Sequence, residues 1–501
     1  MNQKHVVIIG SGTAGLTTAL TLRAWFNHYP ITVISSERIG IIGVGEGSTE
    51  HWRMFQDDMR IPVEDLLVKA AATHKYGIAF EGWTSHTPHY YHSVSHGPIT
   101  IGNFAGSYAY CLENNLQLTK ELSWRGMNEG KIPYGEDKEG KEVTHLNTNQ
   151  YHFDTHKLNA FLKGLCLDRG VFFVDDEVDF IRKDEDGFVT SVYLKNRPGR
   201  VDGDFFVDAS GFNRVIMKEM DDQTFVDYKP YLPCDSALVF PTPSRDDGKI
   251  LPFTRARAMS AGWMWEIPTQ ERRGNGYVFS SSHISDDDAI SEASKVSGFD
   301  VAGDNPRILR FDSGYWKQTW QKNVVSVGLS AGFVEPLEAT SISVSLQQAR
   351  LIASYLPTFN KTSKFMVAEY HRLMDQIMEN LLTMISLHYM SDRNDTPMWK
   401  DQQSAKKPEL LERLLGLWSE RCPEIHDMPH SGFELFSPIH LWHVGQGQGV
   451  LDPAVASAQL DAYGSRVPAQ RHIDAVKIDY MKGDTVDHAE ALKRLADSQS
   501  E

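Results

Sequence analysis

Cysteine is scarce in this chain: four in 501 residues, namely Cys111, Cys166, Cys234 and Cys422. Their spacing matches no zinc or redox motif and is too sparse for a disulfide scaffold. Four free thiols in a reducing cytoplasm are expected, and no metal site is read. Basic charge is also in deficit. Lys and Arg number 50 against 66 Asp and Glu, a formal net charge of −16. That balance keeps a protein soluble and disfavours non-specific nucleic-acid binding. No apolar run reaches the length of a membrane span. The apolar run near the N-terminus is too short for a signal peptide and leads straight into a glycine turn. Internal repeats and low-complexity linkers are absent. The expectation is a soluble cytoplasmic protein with neither nucleic-acid nor membrane partners, and long enough for a large core.

What is present begins with strand, glycine turn, helix, strand. His5 to Ile9 has a buried-strand pattern, and Gly10, Gly12 and Gly15 follow as G-x-G-x-x-G with Thr13 and Ala14 between them. A first glycine permits the tight turn, a second lets backbone approach a pyrophosphate, and a third allows helix to pack on strand. The helix N-terminus then offers unpaired N–H groups to phosphate. A second strand should end in an acid that grips the ribose. Here Ser35 holds that position and Glu37 lies slightly late, so either the serine hydroxyl or a displaced Glu37 serves.

Two later strand ends favour FAD over NAD. Val207-Asp208-Ala209-Ser210-Gly211 ends in small residues that suit close approach of a cofactor, and Val327 to Phe333, including Gly328 and Leu329, feeds another helix. A further glycine-rich loop contains Gly45, Glu46, Gly47 and Ser48, where glycine frees the backbone to curl around a ligand.

The pattern predicts an α/β fold: an FAD-binding dinucleotide body, an inserted substrate-side sheet and a helical C-terminal part. Residues 1–365 form the flavin-binding body with its sheet, and residues 366–501 complete the substrate side. Residues 56–80 read as helical. Tyr151 to Arg169 reads as a helix preceded by a strand and capped near Asp154. Residues 85–150 lack periodicity, and Pro336 to Leu356 reads as helix.

Five motifs standing in order resemble the flavin-dependent halogenases, the group that includes the tryptophan halogenases. They are Gly10 to Gly15; Gly43-Val44-Gly45-Glu46; Lys75 in HKYGIAFEGW; Gly262-Trp263-Met264-Trp265-Glu266-Ile267-Pro268; and Phe333-Val334-Glu335-Pro336-Leu337-Glu338-Ala339-Thr340. The resemblance implies FAD used as FADH2, with a separate flavin reductase supplying it, and a setting in antibiotic biosynthesis. Reduced flavin and oxygen turn halide into hypohalous acid, which travels to a separate aromatic pocket. Chloride, bromide and iodide are all open, as are free indoles, phenols and carrier-bound aromatics.

The same resemblance assigns roles. Lys75 positions or captures the halogenating species in a transfer chamber away from the flavin loop. A lysine can donate hydrogen bonds to hypohalous oxygen, or act as a nucleophile when desolvation keeps some of it neutral. Glu338, rather than Glu335, assists and takes up the ring proton, and burial is expected to raise its pKa. Backbone N–H groups of Thr340 and Ser341 hold halide. Trp263 and Trp265 alternate with Met264, so both indoles lie on one strand face and wall flavin from substrate; a plain core role is the alternative. His92 and His96 border the aromatic pocket without an assigned role. Residues 438–453 lack the tyrosine pair and glutamate with which tryptophan halogenases hold an amino acid's charged backbone. A flavin-dependent aromatic hydroxylase is the second reading, though it has no chemical need for Lys75 with G-W-x-W-x-I-P.

Overall fold

The computed structural model of the chain describes residues 3–41, 43, 45–93, 104–117, 128–136, 142–143, 150–304, 306–428, 432–482 and 484–498. A six-stranded sheet carries the dinucleotide motif. Its order is Phe172–Asp175, Ile31–Ser35, Val6–Ile9, Phe205–Asp208, Val324–Ser326 and Trp320–Gln321, with only the last pair antiparallel. The central strands are buried along their length, as a parallel sheet covered on both faces requires. The helix Thr13–Trp25 packs on the helix Thr340–Tyr355 and on Thr155–Asp168. Asp154 caps the last of these, accepting hydrogen bonds from the backbone N–H of His156 and Lys157.

A seven-stranded sheet is inserted between these strands. Its order is Arg307–Arg310, Ser236–Pro243, Arg272–Phe279, Gly262–Pro268, Thr254–Met259, Gly77–Glu81 and His89–Ser93. All neighbours are antiparallel except Thr254–Met259 with Gly77–Glu81. The helical reading of residues 56–80 is corrected here. Helices His51–Asp58 and Val63–Lys69 end before Ala71, and Thr73–Lys75 and Gly77–Glu81 are strands. Ala71 at φ +49 breaks the helix, and the apolar run that follows is buried between neighbouring strands, where helical periodicity has no role. The helix expected from Pro336 starts at Thr340.

A small sheet joins the two parts. Gln150–Phe153 lies between Glu46–Gly47 and Thr73–Lys75, so the second glycine loop and the lysine segment share one neighbour. The C-terminal part is mostly helical, from Lys364–His388 to His488–Ser498. It returns one strand, Asp484–Asp487, to pair with Lys131–Glu136. The main apolar core cluster draws on residues from Val6 to Leu492. All four cysteines are buried and none is disulfide-bonded. Among the described residues no helix is long and apolar enough to cross a membrane.

Candidate active site and flavin cradle

Three strand ends converge on the first glycine turn. Gly10 has φ +107, and a Cβ there would lie 2.3 Å from the carbonyl oxygen of Ala209. A Cβ on Gly15 would lie 2.1 Å from Gly10 O, whereas one on Gly12 would meet nothing within 4 Å. The outer glycines are thus required by packing, and the middle one faces open space, as approach of a pyrophosphate demands. Gly12 caps the helix Thr13–Trp25 without a side-chain acceptor, so its first N–H groups stay available. A Cβ on Gly328 would press to 2.7 Å from Ala14 Cβ, which brings Gly328 and Leu329 to the same turn. Thr13 Oγ1 donates to Glu46 Oε2 at 3.3 Å, and burial pushes the Glu46 carboxyl up to about 7. The residues present fit a dinucleotide such as FAD. Ser35 ends its strand half-buried, while the exposed Glu37 carboxylate lies 3.5 Å from Lys163 Nζ.

Lys75 is buried at 2% exposure and donates from Nζ to the backbone oxygen of Ser48 at 2.8 Å. A Cβ on Gly47 would lie 3.3 Å from that Nζ and 3.2 Å from Ala339 Cβ. The amine therefore touches the second glycine-rich loop, at a seam between Gly47, Ser48 and Ala339. Burial lowers the Lys75 pKa to about 8, against the upward pull of Glu338 and Glu50.

Glu338 lies in a turn followed by Ala339, which is held at φ +56 just before the helix Thr340–Tyr355. At the helix start Thr340 is buried and Ser341 is exposed. Glu338 is buried with His92 Nδ1 at 2.8 Å from Oε2 and His388 Nε2 at 2.6 Å from Oε1. The expectation that burial raises its pKa is corrected: burial does push upward, but the charge and hydrogen bonds of His92 and His388 outweigh it and hold the carboxyl well below the usual range. The carboxyl that burial raises, to about 7, is Glu335, where it outweighs hydrogen bonds from Tyr389 and Trp263.

The Glu335–Trp263 contact ties the glutamate turn to the second sheet. Trp263 Nε1 donates to Glu335 Oε1 at 3.2 Å, and Tyr389 donates to the same oxygen at 2.8 Å. The Trp263 and Trp265 rings lie on one strand face, centroids 5.9 Å apart, and Met264 packs on the opposite side with Leu238 and Tyr277. Gly276 leaves room for the indole of Trp265: a Cβ there would sit 2.1 Å from it.

Sequence reasoning left His92 without a role and did not single out His388, His440 or Glu50. His92 Nε2 lies 2.8 Å from His440 Nδ1, and His440 Nε2 lies 3.3 Å from Glu50 Oε1. His440 and His443, three apart on the helix Pro438–Gly447, share a face, which was the available signal. His96 lies outside the described residues.

A dinucleotide-binding body, an inserted, mostly antiparallel sheet and a helical C-terminal part define the class: a two-part FAD-binding α/β enzyme. The chain belongs to the tryptophan halogenase family, which it matches over residues 5–463. A tryptophan 6-halogenase from Streptomyces toxytricini is 31% identical over 84% of this chain and 85% of that protein. A tryptophan halogenase from Shewanella frigidimarina superposes with a TM-score of 0.87 at 26% identity, covering 99% of this chain and 98% of that one. A flavin-dependent halogenase from Brevundimonas sp. BAL3 superposes at 0.83 with 29% identity, covering 99% of each chain. The protein is accordingly an FADH2- and oxygen-dependent enzyme that halogenates an electron-rich aromatic.

Proposed function

We propose that the enzyme halogenates an uncharged indole- or phenol-like aromatic in preference to free tryptophan, with Lys75 and Glu338 as its catalytic pair. Bound in its reduced form, the flavin would activate oxygen, which supplies the oxidising power that converts halide to hypohalous acid. Gly10, Gly12, Thr13, Ala14, Gly15, Gly328 and Leu329 hold its phosphates and rim, Ser35 its ribose, and Gly45 to Ser48 its far side. Backbone N–H groups of Thr340 and Ser341 bind halide at the helix start, where the orphan donors of a first turn favour an anion. Trp263 and Trp265 keep the arene from the flavin, held by the Glu335 hydrogen bond to Trp263.

The observation that carries the catalytic reading is the buried Lys75 amine on the flavin-side loop, under the pull of Glu338. An ammonium there donates hydrogen bonds to hypohalous oxygen and sharpens the electrophilic halogen. Glu338, held ionised, stabilises the cationic ring that forms on halogen attack and then accepts its proton. Residues 1–365 serve the flavin and halide, and residues 366–501 close the substrate side through His388 and the helix Pro438–Gly447. Reduced flavin comes from a separate reductase in the cytoplasm.

The substrate preference rests on residues 438–453. The helix there carries His440 and His443 and no tyrosine pair. Burying an amino acid's ammonium and carboxylate without dedicated partners is expensive, so an uncharged ring enters more readily. Comparing kcat/KM for indole, simple phenols and L-tryptophan under one reductase system tests this. Neutral aromatics should lead. A preference for tryptophan of about tenfold or more over every neutral ring would contradict it, since a site built for charged groups discriminates that strongly.

A further inference from the structure

Glu338 does not stand alone in the core. It heads a chain of buried imidazoles that reaches the protein surface. His92 Nδ1 lies 2.8 Å from Glu338, His92 Nε2 lies 2.8 Å from His440 Nδ1, and His440 Nε2 lies 3.3 Å from Glu50. His92 is fully buried and His440 is 3% exposed, whereas the Glu50 side chain is 30% exposed. Each imidazole uses both nitrogens in line, which is the geometry a proton relay needs and a merely structural histidine does not. We propose that His92, His440 and Glu50 form the proton-exit path of this enzyme, carrying to solvent the proton that ring halogenation delivers to Glu338. The assignment rests on Glu338 as the acceptor in the proposed reaction.

The directions of the hydrogen bonds follow from the carboxylate at the buried end. Ionised Glu338 requires N–H from His92 Nδ1, and His92 Nε2 then accepts from His440 Nδ1–H. Once the ring proton neutralises Glu338, the two rings exchange tautomers, so that His92 Nδ1 and His440 Nδ1 become acceptors. Glu338 then passes its proton to His92 Nδ1 as His92 Nε2–H passes to His440 Nδ1 and His440 Nε2–H passes to Glu50, which releases it to solvent and restores the start. One proton enters at Glu338 and one leaves at Glu50, with no change of oxidation state. Burial favours neutral His92, and the contact with His440 holds Glu50 well below the usual carboxylate range despite its own desolvation.

The other groups facing the chain do not interrupt it. His388 binds Glu338 from the opposite side and is itself bound by Tyr90. The ring of His443 lies 6.0 Å from that of His92, and Tyr108 lies 2.9 Å from His443 Nε2. Beside Glu50 stand His51, which Arg350 also influences, and Lys75, and the Gln150 amide donates to Glu50 Oε2 at 3.1 Å. These leave His440 as the bridge between His92 and Glu50.

Two measurements test the relay on the full-length FAD-loaded enzyme. In the first, Glu50→Gln and His440→Ala are turned over with bromide and a neutral indole in H2O and D2O. Both should lose about 10²-fold in kcat with KM for the arene little changed, the low end of the scale of a lost proton-transfer group. Their solvent isotope effects should rise, and added imidazole should restore His440→Ala. Unchanged kcat and isotope effect, or a fall that imidazole and D2O do not touch, would overturn the relay. In the second, 15N-histidine NMR needs no turnover. Glu50→Gln should move the ring-nitrogen resonances of His92, two hydrogen bonds away, and their invariance would overturn a connected chain. If the wild-type enzyme brominated no arene, the proposed reaction would fail while the NMR result still decided the chain.

Discussion

Lys75 is the residue at which the proposed function opposes stability. Its folded pKa of about 8 lies below the unfolded value of about 10.4. Below pH 8 both states are protonated and the fold carries the full desolvation penalty; the penalty fades as pH rises from 8 towards the unfolded value. Lys75→Met should therefore raise the melting temperature at pH 7, by the equivalent of about 1–3 kcal/mol, and the gain should shrink by pH 10. The same variant should lose ring halogenation, because a thioether donates no hydrogen bond. A melting temperature that falls, or halogenation that survives, would contradict the assignment. At Glu338 the sign is the reverse. His92 and His388 hold the carboxylate ionised, so its stabilising contribution is present at neutral pH and is lost only in acid. Glu338→Gln should slow halogenation by ~10²-fold, the usual weight of a positioned proton acceptor. Rates measured from pH 6 to pH 8 should show no limb belonging to Glu338.

At the scale of elements, the junction is a pair of sheets meeting at one glutamate turn. Trp265 pairs in register with Gly276, whose missing side chain is what lets the indole lie across its neighbour. Gly276→Val should destabilise the protein by about 1–3 kcal/mol through overpacking. If the two indoles wall the flavin from the arene, hydroxylated arene should also appear beside the halogenated product. A lower melting temperature with an unaltered product ratio would reduce the pair to core packing. These elements differ in how legible they were. The glycine turn and the tryptophan strand are local sequence patterns, and both form as read: a turn opening the helix Thr13–Trp25 and a strand Gly262–Pro268 with its two indoles on one face. Thr73–Lys75 and Gly77–Glu81 did not, because their strand character comes from neighbours at Gln150–Phe153 and Thr254–Met259. The Glu338 site was half legible. Its glutamate lies in a motif, but the histidines that reverse its expected pKa sit 246 and 50 residues away in sequence. Nothing local in YYHS or ISLHYM announces that they meet.

For the whole molecule, the division of labour follows the layers. The parallel sheet collects three strand ends around one glycine turn, and the inserted sheet presents tryptophan on one face and Met264 on the other. The C-terminal helices bring His388 and His440 against the glutamate turn. A lysine on the strand Thr73–Lys75 and a glutamate in the turn before Thr340 thus meet at one seam, backed by a core that draws on residues from Val6 to Leu492. In the proposed reaction that seam directs oxidised halogen, rather than oxygen, to the arene. The most direct measurement is mass spectrometry of products from a panel of indoles and phenols, with FAD, a flavin reductase and oxygen, in the presence and absence of bromide. The expected result is ring-brominated product that requires bromide and disappears in Lys75→Ala. Hydroxylated product formed at the same rate with or without bromide would contradict it.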